Sequence, residues 1–323
     1  MKRTTCLVAG GGPAGIMLGL LLARGGVEVI VCEKHADFLR DFRGDTVHPS
    51  TIRLLDELGL GAEFAQLPQS RLQSLRLPTT NGESIDFGDF SALPPPYNYI
   101  AMIPQWDFLG FLADHARREP AFALFMGTEV TDLLWRDDKV AGVTVRTDHG
   151  EEMIEADLVV ACDGRHSILR KQAGLVSRDY DVPFDVWWFR LPRRPDEQAE
   201  PANLVPSFAG QDIMLAIARE GFYQIAVFIP KGTDARRRAQ GIQPLRDMIA
   251  RLRPDFADRV DTLTSMEQVK TLDVKLDRLK RWHCPGLLCI GDAAHAMSPV
   301  GGVGVNLAIQ DAVATARILR NPL

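Results

Sequence analysis

At 323 residues the chain is long enough to bury one large core or two moderate ones. Its 46% hydrophobic and 24% charged residues are those of a globular protein, not a disordered or fibrous one. A net charge of −5 gives no global attraction to nucleic acid or an anionic membrane, and five cysteines without C-x-x-C spacing argue against zinc or a disulfide framework. The seven histidines form no H-x-x-x-H pair, so no metal is expected. Cys6, Cys32, Cys162 and Cys289 fall in predicted strands and read as small buried hydrophobes of a reducing cytoplasm.

Lys2 and Arg3 precede an apolar run, Cys6 to Ala23, that imitates a signal peptide or membrane span. Three successive glycines and Pro13 interrupt it, and a strand, a turn and a helix account for every residue, so neither a targeting segment nor an integral membrane span is expected. Cys6 to Ala9 is the buried strand, Gly10, Gly12 and Gly15 form G-x-G-x-x-G, Ile16 to Ala23 is helical, and Val27 to Cys32 returns as a second strand ending at Glu33. Each glycine meets a steric demand: a tight turn at Gly10, backbone approach to a pyrophosphate at Gly12, close helix packing at Gly15. Unpaired N–H groups and the positive end of the helix dipole then face the anion. Glu33, at the second strand's tip, is placed to accept from both ribose hydroxyls of an adenosine, where a 2′-phosphate would be repelled.

Arg43 opens a loop, and a helix is expected to be capped near Ser50 or Thr51 and to stop at Gly59. His48, beside Pro49, reads more readily as a loop residue than as a catalyst. Leu72 to Phe87 alternates like strands broken by Asn81-Gly82, a hairpin signal, and Pro94 to Pro96 mark a surface loop. Gln105 opens a helix, and Ala123 to Met126, Val130 to Trp135 and Val140 to Arg146 are strands with a turn at Asp137-Asp138. Leu158 to Cys162 is another buried strand, delivering Asp163-Gly164 to the carboxyl edge where α/β ligands gather, with Arg165 and His166 exposed beside it.

From about Arg178 the pattern becomes antiparallel: Val186 to Leu191, Ile213 to Ala218 and Phe222 to Ile229 are strands, the last two joined at Glu220-Gly221. Ala235 to Leu252 reads as one basic amphipathic helix. Leu287 to Ile290 returns to the first sheet and delivers Gly291-Asp292, followed by Pro299 to Asn306 at the start of a helix through Ile309, Val313 and Ala316. Glycines at a helix start admit a flat ring, and the helix dipole favours negative charge beside it.

These three blocks, in this order and across nearly the whole chain, resemble the single-component FAD-dependent monooxygenases related to para-hydroxybenzoate hydroxylase and the ubiquinone-ring hydroxylases. The resemblance implies an α/β fold in which a Rossmann-like FAD-binding domain with a parallel sheet (residues 1–72, 101–177 and 284–323) is interleaved with an antiparallel-sheet substrate domain (73–100 and 178–283). It implies FAD at the amino-terminal site, with Arg43 and Gln105 near the pyrophosphate or ribityl chain and Pro13, Ala14, Lys34 and Val130 among the further contacts. Asp292 would touch the ribityl chain, while Pro299, Gly302, Val303, Gly304, Val305 and Asn306 would flank the isoalloxazine. No second G-x-G-x-x-G unit follows, so NAD(P)H is expected to bind transiently, with Asp163 and Gly164 at the shared edge. Val303 stands where the family usually has glutamine or another polar residue and Val305 where it has methionine, so local flavin contacts are expected to differ. Many members continue for some tens of residues past the helix ending near Arg320, and a shortened chain or a missing helical lid is the corresponding expectation.

The activity implied is hydroxylation of an aromatic or other electron-rich small molecule, polyketide-like substrates included, by NAD(P)H and O₂ through a flavin C4a-hydroperoxide. The cofactor carries that chemistry, so no protein nucleophile is required. A phenol would need a base, for which His48 and Tyr223 are the candidates. Epoxidation, desaturation and halogenation are the alternatives on the same flavin, although W-x-W-x-I-P is missing, and a catalytically silent flavin-binding protein is the alternative from another class.

Overall fold

The computed structural model describes residues 2–39, 46–78, 84–199, 204–219, 221–319 and 321. Its first layer is an eight-stranded sheet. Strand Lys2–Ala9 sits centrally, parallel to Val29–Cys32 on one side and to Gly150–Ala161 on the other; Phe122–Phe125 and Leu287–Cys289 extend the parallel set outward. The amino half of Gly150–Ala161 pairs instead with Lys139–Thr147, which forms a hairpin with Glu129–Arg136 across the turn at Asp137, φ 55°.

Alternation along the central strand explains both faces. Cys6 and Val8 turn toward the helices Pro13–Arg24, Gln105–Ala116 and Gly304–Leu319, while Leu7 and Ala9 turn toward the hairpin and the short helix Ile168–Gln172. Helix Pro13–Arg24 buries nine of its twelve residues, because the sheet covers one side and the other two helices its flanks. Truncating Leu18 or Leu20, both fully buried, would cost about 2–5 kcal/mol.

The second layer is a five-stranded antiparallel sheet in the order Leu204–Ala209, Asp212–Ala218, Phe222–Pro230, Phe184–Pro192, Lys270–Leu272. Trp187, Phe189, Met214, Ala216, Ile225 and Val227 pack beneath helix Gln243–Leu252, so the alternate residues face the parallel-sheet layer.

Three expectations change. The helix expected to cap at Ser50 or Thr51 runs Pro49–Glu57 with His48 as its cap residue, since proline is preorganised for the first helical position. Residues 235–252 form two helices, Asp234–Arg238 and Gln243–Leu252, because Gly241 at φ 79° breaks the chain between them. Arg165 is largely buried, bonded to the Asp273 carbonyl at 2.9 Å. Arg43, Asn81-Gly82 and Glu220 lie outside the described residues.

Candidate active site

Parallel pairing places four strand ends in one row: Cys289, Ala161, Ala9 and Cys32 are consecutive register partners. The residues just beyond continue the ladder, Ile290 donating to Ala161 at 3.0 Å, Cys162 to Ala9 at 2.8 Å and Gly10 to Cys32 at 2.8 Å. The motif residues Gly10, Glu33, Asp163 and Asp292 therefore meet along one edge although 282 positions separate the first from the last.

The edge opens into a continuous cleft of about 1450 Å³ between the two layers. At the first turn Gly10 has φ +114°, and a Cβ there would stand 2.3 Å from the Cys162 carbonyl oxygen. A Cβ on Gly15 would stand 1.9 Å from the Gly10 oxygen, whereas one on Gly12 would meet nothing within 4 Å. The demands at Gly10 and Gly15 are thus made by the protein itself, and that at Gly12 is left for a ligand. Pro13 and Ala14 begin the helix against the cleft.

Glu33 is buried, its Oε2 accepting from Gly11 N at 2.8 Å and its Oε1 from His35 N at 3.0 Å. These two bonds fix the orientation of the carboxylate at the strand tip. Lys34 and Val130 line the same end of the cleft, and Gln105 lines it from the start of its helix. Asp163 Oδ2 accepts from Ile168 N at 2.9 Å and Leu169 N at 3.3 Å, helping Ser167 to cap the short helix. Its Oδ1 is buried without a hydrogen-bond partner on a residue that lines the cleft. Burial raises the carboxyl above its usual range, with hydrogen bonds from Ser167, Leu169 and Ile168 opposing the rise. Asp292 faces the cleft 3.9 Å from Arg165.

The last block forms a turn, Val300–Gly302, before helix Gly304–Leu319, with Gly301 at φ 80° and Gly302 at φ 61°. Pro299, Gly302, Gly304 and Val305 line the cleft, whereas Val303 and Asn306 do not. Asn306 is a buried tie: Oδ1 accepts from His48 N and Thr51 Oγ1, each at 2.8 Å, and Nδ2 donates to the Thr46 and Gly302 carbonyls at 3.0 and 3.2 Å. It locks the flavin-motif turn to the chain around Thr46, whose Oγ1 also donates to Gly302 O at 2.7 Å.

The two candidate bases fare differently from expectation. Tyr223 points to the helix side of its sheet, 4.8 Å from the Phe256 ring, because odd positions of that strand face the core; it does not line the cleft. His48 sits behind the Gly301 turn and outside the cleft lining, and burial lowers its imidazole while a backbone hydrogen bond at Gly301 opposes the shift. The buried cysteines are held as thiols, Cys6, Cys32 and Cys289 each pushed up to about 12 by burial.

Sequence reasoning missed the polar ties behind this edge. Buried Arg170 donates to the Ala293 carbonyl at 3.2 Å, the Arg165 carbonyl at 2.8 Å and Asp277 Oδ2 at 3.1 Å, while Asp277 Oδ1 accepts from Ala296 N at 2.9 Å. Asp311 Oδ2 accepts from Gly291 N at 2.8 Å and stands 2.6 Å from His295 Nε2. Burial alone would lower His295, but the Asp311 hydrogen bond and the charges of Asp311 and Asp292 outweigh it and raise the imidazole. These groups fix Asp163 and Asp292 relative to one another. Among the described residues no group of three or more His, Cys, Asp or Glu is placed to hold a metal ion, and no helix is long and apolar enough to cross a membrane.

A glycine turn at a helix start, an acid at the end of strand Val29–Cys32 and an uncommitted carboxylate oxygen beyond strand Gly150–Ala161 fit a dinucleotide; the fold and the edge define a protein of the dinucleotide-binding α/β class. A family model described as FAD binding domain matches residues 3–323, so the chain belongs to that family. It is 34% identical over 322 residues to 6-methylpretetramide 4-monooxygenase of Streptomyces rimosus, covering 98% of this chain and 75% of that protein. It is 26% identical to p-hydroxybenzoate hydroxylase of Acinetobacter baylyi, covering 96% and 75%. Three other curated relatives are longer, the chain spanning 60–63% of their length. PqsL, a probable FAD-dependent monooxygenase from Pseudomonas aeruginosa, has the same fold at TM-score 0.81 and 22% identity, covering 100% of this chain and 88% of that one. The chain is a flavin-dependent oxidoreductase of the monooxygenase group.

Proposed function

We propose that the protein uses NAD(P)H and O₂ to hydroxylate an aromatic, polyketide-like small molecule, with FAD along the strand-end edge. The observation that carries this reading is the continuity of the cleft: its charged half holds the dinucleotide motifs, and its other half is the apolar face of the antiparallel sheet, including Trp188, Leu215 and Phe228. The likeness to a monooxygenase whose name gives 6-methylpretetramide as substrate supports a multi-ring ligand.

FAD, when bound, supplies hydride acceptance from the nicotinamide and activation of O₂. The chain's own residues bind and orient. Glu33, Lys34 and Val130 take the adenosine end; the helix start at Gly12, Pro13 and Ala14 takes the pyrophosphate, joined by Gln105 and Arg43. Asp163 Oδ1 and Asp292 take ribityl hydroxyls, and Pro299, Gly302, Gly304 and Val305 form the wall beside the ring. Gly164 lies at the shared edge, and Val303 and Asn306 shape that wall from behind. Oriented binding and an apolar substrate half then decide whether the oxygen reaches carbon or is lost as peroxide. We also take the segments 1–72, 101–177 and 284–323 as one cofactor domain and 73–100 with 178–283 as the substrate domain. Five free cysteines fit a cytoplasmic setting.

The test supplies FAD-loaded protein with NAD(P)H, ¹⁸O₂ and a panel of polycyclic phenols. Substrate-stimulated NAD(P)H oxidation with one labelled oxygen in the product is expected. Unlabelled product, or peroxide alone across the panel, would overturn the reading.

A further inference from the structure

Both polar backbone groups of Gly291, the residue that leads into Asp292, are tied. Its φ is 59°, and a Cβ there would stand 3.1 Å from Ala14 Cβ in the first helix and 3.6 Å from Ala308 Cβ in the last. The turn is therefore pressed between the two helices whose starts border the cleft. The Gly291 carbonyl accepts from Ala294 N and His295 N, each at 2.9 Å. Its amide donates to Asp311 Oδ2 at 2.8 Å, and the same oxygen stands 2.6 Å from Nε2 of His295, whose ring lies 5.2 Å from that of Trp282.

Asp311 and His295 do not line the cleft, and their side chains are only 17% and 12% exposed. They act on the site through the turn alone. Helix Gly304–Leu319 carries Asp311: Gly304 and Val305 line the cleft at its start, and Asp311 follows two turns later, about 10 Å along the axis. One element thus presents a wall of the cleft and, from its middle, holds the Asp292 turn. An ionised Asp311 is what this arrangement needs, because an amide and an imidazole both meet one oxygen, and the imidazole bond is charge-assisted when His295 is protonated. The charged groups facing His295 are Asp311 from the helix and Asp292 from its own turn; Arg165 lies 3.9 Å from Asp292, and Arg278 stands over the Trp282 ring at 5.8 Å.

We infer that Asp311 is a positioning residue that, through Gly291 and His295, sets the Asp292 carboxylate against the wall at Gly304 and Val305 and so governs binding of the ribityl and ring end of FAD, leaving the adenosine end unaffected. This rests on reading Asp292 as the ribityl contact and the last turn as the ring wall. The adenosine and diphosphate contacts at Glu33 and Gly12 belong to the first strand–helix–strand unit, whereas the hydrogen bonds of Asp311 go to Gly291 and His295.

The test compares FAD with ADP, which has the adenosine and diphosphate but neither ribityl chain nor ring, by calorimetric titration of the flavin-free full chain. Asp311→Asn keeps an oxygen for Gly291 N but removes the charge. It is expected to weaken FAD at least about tenfold and to leave ADP within about twofold. Asp292→Ala should also weaken FAD, and the double variant should bind FAD no more weakly than Asp292→Ala alone, since both changes act on one contact. His295→Gln keeps a donor that does not titrate, so it should bind FAD like the wild type near pH 6 and lack the wild type's loss of affinity as pH rises. The unfolding midpoint confirms that each variant is folded. Parallel weakening of FAD and ADP by Asp311→Asn, wild-type FAD affinity in that variant, additive losses in the double variant, or an unaltered pH profile in His295→Gln would each overturn the inference. Unchanged FAD affinity in Asp292→Ala would overturn the ribityl reading and the inference with it, and a wild type that binds ADP but not FAD would overturn the cofactor reading.

Discussion

Replacing Gly12 by glutamate and, separately, Gly15 by alanine distinguishes two reasons for a glycine that motif spacing leaves merged. Gly12 has ordinary extended dihedrals, φ −76° and ψ −174°, and an added Cβ would meet nothing within 4 Å. The flavin-free Gly12→Glu protein should therefore match the wild type or gain up to about 1 kcal/mol through a restricted unfolded chain. Its carboxylate, however, would stand at the positive end of the helix and in the path of any diphosphate. We expect FAD to weaken at least about a hundredfold, or about 2.7 kcal/mol. At Gly15 the Cβ would lie 1.9 Å from the Gly10 oxygen, against 3.4 Å for ordinary contact, so strand turn and helix must part by about 1.5 Å. Overpacking of this kind costs about 1–3 kcal/mol and should lower the unfolding midpoint by several degrees even without flavin. Thermal unfolding of the flavin-free proteins, paired with flavin-fluorescence titration, reads both quantities. Unchanged FAD affinity in Gly12→Glu, or an unchanged midpoint in Gly15→Ala, would refute the reasoning.

Asp163→Asn keeps an oxygen to cap Ile168 and Leu169, and it should loosen FAD by about tenfold with little change in the flavin-free midpoint. Asp292→Ala should also weaken FAD, since it removes a carboxylate that lines the cleft beside Arg165; unchanged dissociation constants in both variants would count against the ribityl assignment. His295 has a raised imidazole, so the stability it gains from Asp311 is complete below its unfolded value of 6.5 and is lost as pH rises through the folded value. Flavin retention followed upward from about pH 6 should decline, and Asp311→Asn should flatten that dependence. Glu197 behaves oppositely. Its hydrogen bonds from Arg259, at 2.8 and 2.9 Å, hold the carboxyl at about 2, so its contribution is present above 4.5 and lost as pH falls through about 2. Acid unfolding of Glu197→Gln should lack that slope.

Sequence made the cofactor edge legible because its demands are local. Gly10 is marked by its left-handed turn, Gly15 by a contact within a single strand–turn–helix unit, and Glu33, Asp163 and Asp292 each follow the end of an apolar strand within three residues. Parallel pairing then aligned those strand ends without further instruction. Ties between distant segments carried no such signal. Arg170 meets Asp277 across 107 positions, and Asn306 meets His48 across 258, so neither partner could be named from spacing. Facing was the other gap: alternation shows that Tyr223 and Gln224 point to opposite sides of their strand, but only the packing of helix Gln243–Leu252 decides which side is core. For the same reason Trp187 became a core residue, donating to Asp234 at 2.6 Å, while Trp188 became a wall of the cleft. The long basic helix failed as one element because amphipathic spacing on both sides of Gly241 masked a backbone at φ 79°.

The most direct measurement is the visible absorption spectrum of the purified protein after saturation with FAD and removal of excess flavin. About one flavin retained per chain, with bands displaced from those of free FAD and lost in Gly12→Glu, is the predicted result. A colourless protein after saturation, or retention equal in wild type and Gly12→Glu, would contradict the assignment of the strand-end edge as the FAD site.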